Sequence, residues 1–284
     1  MRENTTVAAN ASITGALGGL GRFALGRLAD FGDFWAFSGH TLAYSPIGLI
    51  RRRDLGRLWP QAFAIGTASV PVILVTGVFV GMVLAVQAIE QFQAAGLEDR
   101  MGVIVSLSVV RELGPVLAGV MLAGRVGGAL TAELGTMNVT EQLDALRAMG
   151  ADPIRVLVVP RFLACILLTP VLTLYCDVMG IFGGWFISVP VFNISNSAYW
   201  GFTEVAVEKW DVASGLVKSL FFGATIGLIS CYKGFHCGPG AEGVGRACTH
   251  AFVAGFMVIL IIDFFLSLAL KGAYETIWGF KTVF

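Results

Sequence analysis

Arg111 and Glu112 stand side by side inside an otherwise apolar run, Met101 to Leu130. An ionisable side chain at such a depth is costly unless it meets a partner, water or a charged ligand. The pair therefore has two readings, a contact to a charged ligand, or an ion-pair network holding helices together. Neighbours in a helix point about 100° apart, so the two need not pair with each other. Asp177 and Asp263 also fall inside apolar runs, where carboxyls serve a proton relay or an interhelical hydrogen bond. Cys231, His236, Cys237, Cys248 and His250 gather metal-ligand types in one stretch, but their spacing matches no paired C-x-x-C arrangement, so no metal site is assigned. Gly238-Pro-Gly240-Ala-Glu-Gly243 satisfies G-x-G-x-x-G on paper. It follows an apolar run instead of a strand and reads as a turn. No Ser/His/Asp or Cys/His arrangement supplies a nucleophile, and no G-x-x-x-x-G-K-[ST] loop cradles a nucleotide. Catalysis and a nucleotide site within this chain are not expected.

A second chemistry is docking. From Glu133 to Arg161 the chain is a charged island between long apolar runs, with Glu133, Glu141, Asp144, Arg147, Asp152, Arg155 and Arg161. The spacing predicts a short helix starting near Asn138 or Thr140, whose side chains suit a cap, and ending at Gly150 before Pro153. Leu143, Leu146 and Met149 then share one apolar stripe. Such a stripe inserts into a groove on a partner or packs on its own membrane domain.

These residues need elements to position them, and the composition says which kind. The chain has 284 residues, is 56% hydrophobic and only 13% charged, and has 36 glycines. Its mean hydropathy is +0.78. The fold class is an all-α integral membrane protein. Five spans are predicted, at residues 62–89, 101–130, 162–185, 213–232 and 251–270, each near or above the roughly 20 residues that cross a bilayer. Gly114-Pro115 predicts a kink in the second span. Residues 61–284 form the membrane domain and 133–155 its docking segment. Residues 1–60 form a cytosolic, interfacial region in which Ile13 to Phe34 shows helical spacing of apolar residues. No cleavable leader is predicted, because Met1 to Ser12 is polar. Arg51, Arg52, Arg53 and Arg57, with Arg147, Arg155, Arg161, Lys233 and Arg246, put the N-terminus in the cytosol and, with five spans, the C-terminus outside. Gly77-x-x-x-Gly81, Gly180-x-x-x-Gly184 and Gly223-x-x-x-Gly227 predict close helix packing within the chain. The net charge is zero, which leaves no electrostatic footprint for nucleic acid. The five cysteines indicate no disulfide framework.

Resemblance sharpens the docking reading. Asp144-Ala145-Leu146-Arg147-Ala148-Met149-Gly150 is similar to the coupling loop that ATP-binding-cassette permeases insert into their nucleotide-binding subunit. Gly77 to Gln87, Val109 to Met137, Thr140 to Pro153, Pro160 to Ala164 and Gly240 to Ala247 together resemble the MlaE (YrbE) family of permeases of Mla and MCE lipid-transport systems. The resemblance covers about Ala62 to Leu270. It implies a homodimeric permease in the bacterial inner membrane, two ATPase subunits on the cytosolic side and a hexameric MCE-domain protein on the periplasmic side. A small STAS-domain subunit accompanies some such systems. It further implies phospholipid as cargo, moved between inner and outer membranes, with ATP and Mg confined to the ATPase. The matching positions are Glu133, Met137, Thr140, Glu141, Gln142, Asp144, Leu146, Arg147, Met149 and Gly150 for ATPase coupling. For lipid they are Leu84, Gln87, Arg111, Glu112 and Leu113. Glu98, Asp99 and Arg100, on the outer loop, are expected to be solvated or to contact the MCE protein. The competing class is an ion- or proton-coupled secondary transporter using Asp177, Asp263, Arg111 and Glu112, and a weaker third is a passive membrane anchor.

Overall fold

The computed structural model describes residues 25–26, 28–46, 52–94 and 96–278, and no strand occurs among them. Eight helices carry the chain: α1 (28–46), α2 (Arg52–Ala94), α3 (Glu98–Val139), α4 (Gln142–Ala148), α5 (Ile154–Ser188), α6 (Asn196–Ala206), α7 (Lys209–Phe235) and α8 (Gly240–Trp278). Five of these, α2, α3, α5, α7 and α8, are long and apolar enough to cross a membrane. Each contains one predicted span and overshoots it, because backbone hydrogen bonding continues past the apolar stretch. The helix predicted from Ile13 differs most: residues 13–24 lie outside the described residues, and α1 continues to residue 46. One face of α1, with Phe37, Ser38 and Thr41, is buried. Phe34 and Phe37 stand edge-on to Tyr232 of α7 at 5.2 and 5.6 Å. Leu28, Phe31, Trp35 and Leu42 stay exposed, the two-faced pattern of a helix lying in an interface.

Helix α5 occupies the middle of the domain, between α2 on one side and α3 and α7 on the other. Small residues allow it. A Cβ at Gly81 would run into the Gly180 carbonyl, and one at Gly183 into the backbone of Val78. Gly77 faces the Cys176 carbonyl, and Gly223 that of Cys165, at 2.7 and 2.6 Å from where a Cβ would stand. All three G-x-x-x-G pairs are thus used within the chain, since Gly184 meets Val105 and Gly227 meets Phe162. Backbone approach of this kind replaces the hydrophobic drive that lipid removes. Ile73, Leu122, Leu172, Phe222, Ile226 and Ile259 fill the core from all five long helices.

Two features escaped the hydropathy pattern. Helix α6 lies in the segment read as an outer loop. It buries Tyr199 and Thr203 against Gly102 at the start of α3, with the Tyr199 hydroxyl donating to the Ile181 carbonyl at 3.0 Å. Helix α3 is not uniform: π-helical turns at Val109–Leu113 and Ala123–Gly127 interrupt it. The predicted kink at Gly114-Pro115 is thus preceded by an extra residue wound into the helix, as in π-bulges.

The glycine contacts make a stability prediction. Gly81→Ala should cost about 1–3 kcal/mol through overpacking and lower the thermal midpoint in detergent. Gly272→Ala, where nothing lies within 4 Å of an added Cβ, should leave the midpoint unchanged or raise it.

Candidate functional site: a buried charge seam and a short exposed helix

The first π-turn exposes backbone oxygen. Gly114 donates its N–H to the Val109 carbonyl, five residues back. Pro115 has no N–H, so the Arg111 carbonyl is left without its helical donor. Lys218 of α7 supplies one: its Nζ lies 3.0 Å from Arg111 O, 2.6 Å from Glu112 Oε2 and 3.3 Å from Asp263 Oδ1. An ammonium has three donors, and here they have three acceptors on two helices. The Asp263 contact is an ion pair without hydrogen-bond alignment, since Oδ1 has no hydrogen-bond partner. Ser267 of α8 adds its hydroxyl to Glu112 at 3.3 Å. On the other flank Arg111 Nε meets Asp211 Oδ1 at 2.6 Å. Asp211 also accepts the Glu208 N–H at 3.0 Å and caps the start of α7.

The seam therefore ties α3 to α7 and α8 at one level. Lys218 and Asp211 side chains are each 3% exposed, while Arg111 and Glu112 keep 43% and 50%. The paired ends are inside and two partly free charged groups face out, a geometry able to meet a zwitterionic or anionic headgroup. Lys218 and Asp211 are the residues that sequence reasoning passed over. Lys218 does carry a signal, a lysine inside the predicted span 213–232, whereas Asp211 lies just before that span and carries none. Leu113 is half-buried next to the pair. Leu84 packs on α2 in a cluster with Val105 and Val109. Gln87 lines a shallow outward groove with Met82, Val83 and Val86. The seam joins α3 to α7 and α8, so Leu84 and Gln87 are not part of it. Asp177 is buried with its Oδ1 unpartnered, against Gly114; neither a relay nor an interhelical hydrogen bond is formed there.

At the end of the domain that carries α4, the charged island is braced from within. Glu133 Oε1 accepts from Arg161 Nη2 at 2.6 Å, and Arg161 Nη1 donates to the Leu157 carbonyl at 3.1 Å. Glu133 thereby joins the end of α3 to the start of α5. Helix α4 begins at Gln142, later than the predicted Asn138 or Thr140, because α3 runs through Val139 and the Thr140 hydroxyl bonds back to Thr136 O at 2.8 Å. Glu141 takes a left-handed φ of 59° between the two helices, and Gln142 Nε2 donates to Thr140 Oγ1 at 3.1 Å. Gly150, at φ 73°, ends the unit. The apolar stripe divides: Leu143 is buried in the chain's own fold, Leu146 is half-buried, and Met149 is 73% exposed. Asp144 and Arg147 pair on the exposed face at 2.7 Å, and Met137 packs at the edge of the aromatic cluster under α1. The Cys237 and Cys248 thiols lie against the Gly135 and Gly128 carbonyls. Among the described residues no group of three or more His, Cys, Asp or Glu side chains could hold a metal ion.

A comparison with known families decides the class, since the Permease MlaE family matches residues 58–269. The chain belongs to the MlaE permease family. This multi-pass membrane permease is 45% identical to the Probable ABC transporter permease protein of Rickettsia typhi, over 75% of this chain and 82% of that one. It is 36% identical to the Intermembrane phospholipid transport system permease protein MlaE of Haemophilus influenzae, over 88% of this chain and 97% of its relative. A chloroplast relative from Arabidopsis thaliana, Protein TRIGALACTOSYLDIACYLGLYCEROL 1, is 42% identical over 71% of this permease and 58% of its own length. The matched region contains the whole charge seam and α4.

The seam predicts a graded response. Lys218→Met should cost about 1–3 kcal/mol, because the Arg111 carbonyl loses its donor and Glu112 and Asp263 lose the charge beside them. Glu112→Gln should cost less, since Lys218 keeps two acceptors. Thermal unfolding of the purified permease in detergent checks the order; a larger loss for Glu112→Gln would refute it.

Proposed function

We propose that this MlaE-family permease is the membrane subunit of an ATP-driven transporter that moves phospholipid between the inner and outer membranes of a bacterium. A separate ATPase pair docks on the cytosolic side and carries ATP and Mg; the permease itself contributes no nucleotide site. Two copies of the chain form the membrane unit, a hexameric MCE-domain protein takes up lipid on the periplasmic side, and a STAS-domain subunit accompanies the ATPase. The N-terminus faces the cytosol and the C-terminus the periplasm, in agreement with the arginines that precede α2.

The observation that carries this reading is α4. It is a short helix anchored by one buried leucine, with Asp144, Arg147 and Met149 turned away from the fold. An exposed methionine beside an ion pair suits an apolar pocket with a polar rim on a partner. Met149, Gly150, Asp144, Arg147, Glu141 and Gln142 form the contact in this reading, while Glu133, Met137, Thr140 and Leu146 hold the helix in place. Phospholipid enters through the partly free Arg111 and Glu112, with Leu84, Gln87 and Leu113 toward the acyl chains. The relative in Haemophilus influenzae bears the name of a phospholipid transport permease, which supports that cargo. An ion-coupled transporter is less well supported, because Glu112 is already ion-paired to Lys218, which also stands 3.3 Å from Asp263.

Asp144→Ala and Met149→Asp should each abolish ATP-driven lipid transport and capture of an ATPase subunit while leaving the thermal midpoint within about 1 kcal/mol of wild type, as for other surface changes. Normal transport by both variants would sink the docking role of α4.

A further inference from the structure

We propose that Arg125 is a second phosphate-binding position, at the cytosolic end of α3, that takes the phosphodiester of a phospholipid from the cytosolic leaflet. The inference rests on the lipid-transport reading and adds to it where the headgroup sits at the other end of the path.

Arg125 lies in the second π-turn, Ala123–Gly127, and is exposed although Ala123, Val126 and Gly127 around it are buried. It makes no ion pair among the described residues. The carboxylates toward the cytosolic ends of α3 and α8 are engaged elsewhere, Glu133 with Arg161 at 2.6 Å and Glu242 with Arg246 at 3.8 Å. An ionisable side chain inside a span without a partner is a functional position by default.

Depth and space agree with a phosphate. A Cβ at Gly124 would touch Phe252 of α8 at 3.4 Å, and Phe252 stands at the cytosolic start of the apolar stretch of α8. An arginine stem there reaches the plane of the lipid phosphates. Nothing lies within 4 Å of a Cβ at Gly128, one turn on, and Ala129 is exposed, so a headgroup has room beside the guanidinium. The five-donor fork matches two phosphate oxygens at once, which a point-charge lysine does not. Leu113, Leu117, Met121 and Arg125 recur every fourth residue, and all are at least partly exposed. That face runs from Leu113 to Arg125, about 18 Å along a helix, more than the ~15 Å half of a hydrocarbon core. The two charged stations therefore lie at different depths of the path.

The test places a photo-cross-linking residue at Ala129 in the full chain, in nanodiscs of equimolar phosphatidylcholine and monogalactosyldiacylglycerol. The wild-type background should label phosphatidylcholine in clear preference to the phosphate-free glycolipid. Arg125→Gln should lower the phospholipid adduct about tenfold, the loss of a charge-assisted bidentate contact, and Arg125→Lys, which keeps the charge without the fork, should fall between the two. Equal labelling of the two lipids by the wild-type background overturns the proposal without any Arg125 variant, as does an adduct to a second copy of the chain in place of lipid. An unchanged adduct in Arg125→Gln overturns it as well. Arg111→Gln separates the two readings: if it abolishes lipid transport while the Ala129 adduct shows no phosphate preference, only the Arg125 assignment falls. If the wild-type complex moves no phospholipid, the lipid-transport reading falls too.

Discussion

The buried ammonium of Lys218 is the interaction on which the joining of α3 to α7 and α8 depends. Pro115 removes one backbone donor from α3, and the π-turn before it displaces another. In a membrane no water replaces them. Lys218 answers the Arg111 carbonyl directly and, with the same nitrogen, neutralises Glu112 and approaches Asp263. A helix weakened at its middle is thus held to two neighbours by one side chain. The arrangement also explains why Arg111 and Glu112 remain partly free: their inner partners are fixed, so their outward faces need not be.

Close backbone approach sets the rest of the geometry. Helix α5 lies against α2 through Gly77, Gly81, Gly180 and Gly183, and against α7 through Gly223 and Gly227. These contacts leave little freedom for α5, whereas α8 touches its neighbours along one side and shows Phe264, Phe265 and Leu268 to the surroundings. Helix α3 stands between a rigid partner and a looser one. Its two π-turns each carry an arginine, and its C-terminal end passes within a few residues into α4. A displacement at α4 is therefore mechanically close to the groups along the outward face of α3.

The end of the domain that carries α4 is organised by aromatic packing together with one ion pair. Phe34 and Phe37 of α1 close over Tyr232 and Phe235, and the same cluster takes in Leu134, Met137, Ile154 and Leu157. Those residues flank α4 on both sides. The interfacial helix and the docking helix thus share one core, and the Glu133–Arg161 pair locks the two strands of the island beneath it.

Much of this was legible in the residues alone. Uncharged runs longer than a bilayer is thick admit no other fold than spanning helices, so five spans followed from hydropathy. Gly150 and Pro153 marked the end of α4 because only particular backbones tolerate them there. The glycine pairs marked close packing, since no other residue lets backbones meet. Partners were what local pattern lacked. That Lys218 would find Arg111 and Glu112, that Asp211 would cap α7 while holding Arg111, and that Asp177 would find nothing, are facts about residues far apart in the chain. The start of α4 depended likewise on whether the Thr140 hydroxyl turned forward to cap or back to Thr136. Sequence determined the class, the spans and the charged candidates, because burial of apolar length and the cost of buried charge are local properties. Only the tertiary structure decided which charges pair and which stay free, because pairing is a matter of distance between helices.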